Sequence, residues 1–109
     1  MIAAIKAMIT RFVDDIQPGR VECEFEDAWG KIHRFIDKTP IFTDGFLDEH
    51  SAYLVDGQIT VKVIEKRPNS MIVTTGEPWH VESTKGETVF EVPAEAILPP
   101  VPRTNDLSR

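Results

Sequence analysis

Signals for tight turns recur at short intervals along this chain and leave room only for short elements between them. Gln17-Pro18-Gly19-Arg20 places Pro second and Gly third, as a type II turn requires. Asp27-Ala28-Trp29-Gly30 suits a type I turn closed by Gly30 in the left-handed region, the three-residue hairpin with a bulge. Thr84-Lys85-Gly86 repeats that pattern, and Arg67-Pro68-Asn69-Ser70 is a further type I candidate. The intervening runs, Val21–Glu26, Lys31–Asp37, Ile59–Lys66, Met71–Thr75, Val81–Ser83 and Thr88–Val92, are rich in Val, Ile, Phe and Thr. Short strands with regular turns predict an all-β fold, a small antiparallel barrel or sandwich of about six or seven strands.

The first segment is ambiguous by spacing. Ile2, Ile5, Ile9, Phe12 and Val13 fall at helical intervals, whereas Ile5, Ala7, Ile9 and Val13 alternate as a strand does. The run is assigned to strand, because the Pro18-Gly19 turn then joins it to the next strand. Residues 38–58 are expected to form one long loop, opened by Pro40 and interrupted by Gly45, with room for a single helical turn over Leu47–Leu54. From Leu98 onward the chain lacks periodicity and carries Pro99, Pro100 and Pro102. The expected organisation is one β domain over residues 1–97 and a flexible, disordered tail over 98–109.

Charge narrows the partner classes. The 109 residues carry 12 Lys and Arg against 18 Asp and Glu, a formal charge of −6. That balance disfavours nucleic acid and anionic membranes, whose binding depends on Lys and Arg. The excess is concentrated early, with 6 basic against 10 acidic groups in residues 1–55 and 6 against 8 in residues 56–109. Glu22, Glu24 and Glu26 alternate with Val21, Cys23 and Phe25, so the three carboxylates share one strand face, about 6.5–7 Å apart. If Ala28-Trp29-Gly30 is the loop, Glu24 faces Arg34 and Cys23 faces Phe35. The stripe is then either a surface for a basic partner or a solvent face with its own internal cation.

Chemistry-bearing residues are sparse. Trp29 and Trp79 lie at or beside turns, where each either anchors a partner or caps one end of the core. Trp79 and His80 belong to Gly76-Glu77-Pro78-Trp79-His80, a breaker pair joined to an aromatic and an imidazole. His33, His50 and His80 lack metal-ligand spacing, and the single Cys23 excludes an intrachain disulfide, so neither a metal nor another cofactor is expected. Cys23 should face inward and be inert. Asp48-Glu49-His50-Ser51 holds acid, base and nucleophile, but consecutive residues cannot readily face one another as a triad does. No phosphate-binding glycine motif occurs, and no apolar run reaches the length of a membrane helix or a signal peptide, so the expected location is the cytoplasm.

Val21–Lys31, Asp37-Lys38-Thr39-Pro40 and Glu82–Val92 together resemble small uncharacterised bacterial all-β proteins, over roughly residues 5–97. The resemblance implies an all-β fold and a bacterial cytosolic setting, and it supplies no activity and no site residues. Of the function classes, the residues favour a non-enzymatic module that binds a basic protein, such as a toxin-neutralising immunity protein, through Trp29, Trp79, His80, Glu22, Glu24 and Glu26. One alternative is a small hydrolase-type enzyme with a His and carboxylate site near the 38–58 loop. Another is a single-stranded nucleic-acid-binding barrel, which the acidic charge disfavours. Self-association through an unpaired edge strand is compatible with each.

Overall fold

The first segment resolves its ambiguity by the number of neighbours it serves. As strand β1 (Ile2–Asp14) it buries Ile5 and Ile9 completely on one face and half-buries Ala3 and Ala7 beside them. A helix could not offer backbone edges to other strands, and β1 offers them to three. The computed structural model describes residues 1–16 and 19–98. In it β1 is followed by β2 (Arg20–Glu26), β3 (Ile32–Lys38), helix α1 (Thr39–Phe42), β4 (Val55–Lys66), β5 (Ser70–Thr74), β6 (Val89–Pro93), a 3-10 turn over Ala94–Ala96, and β7 (Ile97–Leu98). All seven strands belong to one antiparallel sheet of order β3-β2-β1-β4-β5-β6, with β7 beside β1, curled into a half-barrel.

Alternation then sets the core. Val21, Cys23 and Phe25 of β2, Phe35 of β3, Ile59 and Val61 of β4, Val73 of β5, and Phe90 and Val92 of β6 face inward with Ile5 and Ile9. Phe25, Phe35 and Phe90 meet at centroid separations of 5.2–5.8 Å, so the aromatic end of the core joins β2 and β3 to β6. The two hairpin glycines behave as their turns require: Gly30 has φ +83° and Gly86 has φ +79°. The register of the β2–β3 hairpin is the expected one, with Glu24 opposite Arg34 and Cys23 opposite Phe35.

Three elements differ from expectation. The long connection is shorter at both ends than 38–58. Pro40 in the first turn helps start α1, Thr39 bonds Gly19 O through both its N–H (2.9 Å) and its hydroxyl (2.8 Å), and Phe42 is fully buried. At the other end β4 begins at Val55, because Val55 to Ile59 pair with Ile9 to Ile5 of β1. Within Leu47–Leu54 the only hydrogen-bonded turn among the described residues is Asp48–Ser51. Val81–Ser83 is not a strand, although Val81 and Ser83 are buried. Val81 N–H goes to Thr75 O and Ser83 N–H to Glu87 O, which closes local loops instead of a ladder. Finally, β7 takes in Leu98, paired with Ala4. Gln17 and Pro18 of the first turn, and the tail from Pro99 onward, lie outside the described residues.

One close approach fixes α1 on the sheet. A Cβ on Gly57 would lie 2.9 Å from Ile9 Cγ1 and 3.1 Å from Phe42 O, so only glycine lets β1, β4 and α1 meet there. Gly57→Val is therefore expected to cost about 1–3 kcal/mol by overpacking. Urea denaturation checks this against Gly45→Ala, which meets only open space and the Thr43 hydroxyl and should stay within about 0.5 kcal/mol of the parent.

Candidate functional site

The sheet does not keep one set of partners along β1, and a concavity lies where the partner changes. On one edge β1 pairs with β4 continuously from Ile2 to Ile9. On the other edge, Ala4 and Ile5 pair with β7, and pairing with β2 starts only at Met8. Among the described residues, Lys6 and Ala7 therefore have no strand partner on that edge, and Phe25 and Glu26 of β2 pair with β3 alone. Around this fork lies a broad, open concavity of about 1280 Å³, lined by Lys6, Ala7, Met8, Glu24, Phe25, Glu26 and Leu98 together with Ile32, Asp56, Trp79 and the α1 segment from Pro40 to Asp44.

Its electrostatics are one-sided. Among the described residues, Glu24, Glu26, Asp44 and Asp56 line it against a single cation, Lys6. Glu24 is drawn toward Arg34 Nε at 3.2 Å, whereas among the described residues no ion pair engages Glu26, Asp44 or Asp56. Trp79 stands at this concavity because the loop beneath it is clamped. Buried Thr75 donates its hydroxyl to Val81 O at 2.6 Å and accepts Val81 N–H at 2.9 Å, which pins both ends of residues 76–80. Glu77 adds a 3.7 Å pair to Lys62 of β4, and His80 takes the left-handed conformation, φ +55°, that turns the chain back. Trp79 is left 59% exposed.

The sequence-predicted residues divide accordingly. Glu24, Glu26 and Trp79 are brought to the concavity. Glu22 shares their strand face but is occupied: Thr10 Oγ1 donates to it at 2.7 Å and Arg11 at 3.2 Å. Burial opposes its ionisation, and these two bonds outweigh burial and hold its carboxyl below the usual range. Trp29, 80% exposed, stands on the β2–β3 turn and caps nothing, and neither it nor exposed His80 lines the concavity. Asp44, Asp56 and Lys6 were not singled out in the sequence, since they come together only through the β1–β4 pairing and the placement of α1.

A second polar cluster holds the β2–β3 hairpin against the rest. His33 is 6% exposed between the rings of Phe25 and Phe90, with Nε2 at 2.8 Å from Asp27 Oδ2 and Nδ1 at 3.7 Å from Glu87 Oε1. The other oxygen of Asp27 accepts N–H bonds from Trp29 at 2.8 Å and Lys31 at 2.9 Å. Burial works against the Asp27 charge, but the His33 bond and the two backbone donors prevail and keep its carboxyl below the ordinary value. His33 thus has its imidazole committed between two carboxylates, and Ser83 nearby spends its hydroxyl as acceptor for Lys85 and Glu87 N–H. His50 lies on the exposed Asp48–Ser51 turn, far along the chain from this cluster. Among the described residues no group of three or more His, Cys, Asp or Glu is arranged to hold a metal, and no helix is long and apolar enough to cross a membrane. Both outer edges of the sheet carry one bond to a loop, from Thr84 N–H to Arg34 O on β3 and from Ala28 N–H to Glu91 O on β6.

Two outcomes follow from these environments. Removing the Asp27 carboxylate leaves His33 and two turn N–H groups without their acceptor, so Asp27→Ala should lose about 1–3 kcal/mol at neutral pH. A carboxyl held below its unfolded value stabilises the fold above the unfolded pKa of about 3.9 and loses that contribution as pH falls through the folded value. The stability gap between parent and variant, measured by urea denaturation, should therefore narrow below about pH 4. The Cys23 thiol is pushed up to about 12, by burial first and the neighbouring Glu24 charge second. A thiol reagent such as Ellman's should leave it untouched in the folded protein at pH 8 and titrate one thiol in denaturant.

No protein-family model matches this chain, and neither curated proteins nor solved structures give a match.

Proposed function

We propose that this protein acts by binding, with the fork concavity as the surface that receives a basic segment of a partner protein. The observation that carries this reading is the lining itself: among the described residues Trp79, more than half exposed, stands with Glu24, Glu26, Asp44 and Asp56 against Lys6 alone. An amphipathic aromatic gives contact area with little entropy to lose, and it attracts guanidinium or ammonium groups over its face. Glu26, Asp44 and Asp56, without an ion pair among the described residues, steer a positively charged partner and gain more from it than Glu22, whose charge is already spent. Neutralisation of a basic toxin by covering its cationic surface is the concrete form this reading takes.

The His33 cluster is structural on this reading, because both ring nitrogens face carboxylates and the ring is enclosed by Phe25 and Phe90. In a Trp29→Phe protein Trp79 is the sole tryptophan. Titrating that variant with an arginine-rich peptide should change Trp79 fluorescence, and added salt should weaken the effect. Glu26→Lys and Asp56→Lys together should raise the apparent Kd about tenfold or more, in keeping with the 1–3 kcal/mol scale of lost charge pairing. A Trp79 signal indifferent to the peptide at millimolar concentration would refute the proposal.

A further inference from the structure

The fork also has a backbone side. Asp27 N–H bonds Lys31 O at 2.8 Å, while Asp27 O accepts Gly30 N–H at 3.1 Å, so the Asp27 backbone faces the β3 side of the hairpin. Facing alternates along an antiparallel ladder, so Phe25 and His33 form a hydrogen-bonded pair, and the N–H and C=O of Glu26 point away from β3. They point to the side where β1 would continue the ladder. The β1–β2 pairing stops at Met8 and Glu24, so among the described residues these groups meet no strand there. The same alternation aims the Lys6 carbonyl into the gap from the opposite wall. Donors and acceptors left at a sheet edge are a template for an added strand.

The two faces of the gap differ in chemistry. On the solvent face stand the carboxylates of Glu24, Glu26 and Asp56; on the core side stand half-buried Ala7 and Ile41, over the buried Phe25 and Phe42. A strand placed there would present alternate side chains to each. We infer that the basic segment enters as an extended strand, paired with the Glu26 backbone and alternating basic with apolar residues, so that cations meet the carboxylates and apolar side chains meet the half-buried Ala7 and Ile41. This inference rests on the proposed binding of a basic segment and specifies its conformation and sequence pattern. It is the strand-addition mode of peptide recognition, in which main-chain bonds supply affinity and alternate pockets supply choice.

The test uses two probes on the full chain: a short blocked peptide alternating arginine and valine, and its counterpart N-methylated on every second amide, which keeps the side chains and charges but removes main-chain donors. Each is titrated while amide NMR signals are followed. The unmodified peptide should shift Lys6, Phe25 and Glu26 and slow exchange of the Glu26 amide. N-methylation should weaken binding about tenfold, the scale of two net main-chain hydrogen bonds. Equal binding of both peptides at the concavity would overturn strand addition and leave the basic-segment reading standing. Absence of binding by either would overturn both.

Discussion

The sharing of β1 among three strands is the constraint on which the rest of this structure depends. Thirteen residues long, β1 gives its whole first part to β4 on one edge, while the opposite edge passes from β7 to β2. Irregularities between Ile9 and Arg11 and between Phe12 and Asp14 bend its second part away with β2. Ile5 and Ile9 stay fully buried through this change of partner, so the core is continuous even though the ladder is not. The interruption at Lys6 and Ala7 is the consequence, and the concavity lies where it does because two strands cannot occupy one edge without parting.

A hairpin that departs from the sheet needs something to hold its far end. That role falls to the contact of Phe25 and Phe35 with Phe90 and to the Asp27–His33–Glu87 cluster beside them. Burying a full aromatic side chain is worth a few kcal/mol, on the order of 1.5–3, whereas a hydrogen bond contributes roughly 1 net. The rings therefore supply most of the adhesion, and the polar cluster sets the orientation. Glu87 Oε1 is buried without a hydrogen-bond partner, at 3.7 Å from His33, so this part of the cluster is loosely satisfied compared with the 2.8 Å bond to Asp27. The fork stays open because the hairpin is anchored to β6 at its tip and to β1 only from Met8 onward.

Much of this was legible along the chain where structure is local. The hairpin register followed from Gly30 alone, and with it the facing of Glu24 and Arg34. The Asp27–His33 contact was available from the same register, since Phe25 opposes His33 and Asp27 lies next on that face. Other features required distant pairing. β4 starts at Val55 because Ile9 lies opposite it, and Val55-Asp56-Gly57-Gln58 carries little strand signal of its own. Val81–Ser83 has strand composition but its backbone is satisfied by Thr75 and Glu87, so tertiary position overrode propensity. Of the candidate site, the stripe and Trp79 were visible, while Asp44 and Asp56 became neighbours of Glu26 only through the fold.

The acidic balance gains meaning from where charge remains unspent. Arg11 engages Glu22, Arg20 engages Asp14, Arg34 engages Glu24, Lys62 engages Glu77, and Arg67 engages both Glu65 and Glu91, so five of the ten Lys and Arg among the described residues are spent on the protein's own carboxylates. Exposed pairs of this kind contribute little stability, roughly 0–1 kcal/mol each, but they do silence charge toward a partner. Glu26, Asp44 and Asp56 are outside that pairing among the described residues, and the concavity gathers them beside an exposed tryptophan. Net charge alone describes solubility and weak steering. Carboxylates without an ion pair among the described residues, set around an interrupted ladder, describe a place with a polarity and a backbone direction, and the proposed binding of a basic segment rests on that conjunction.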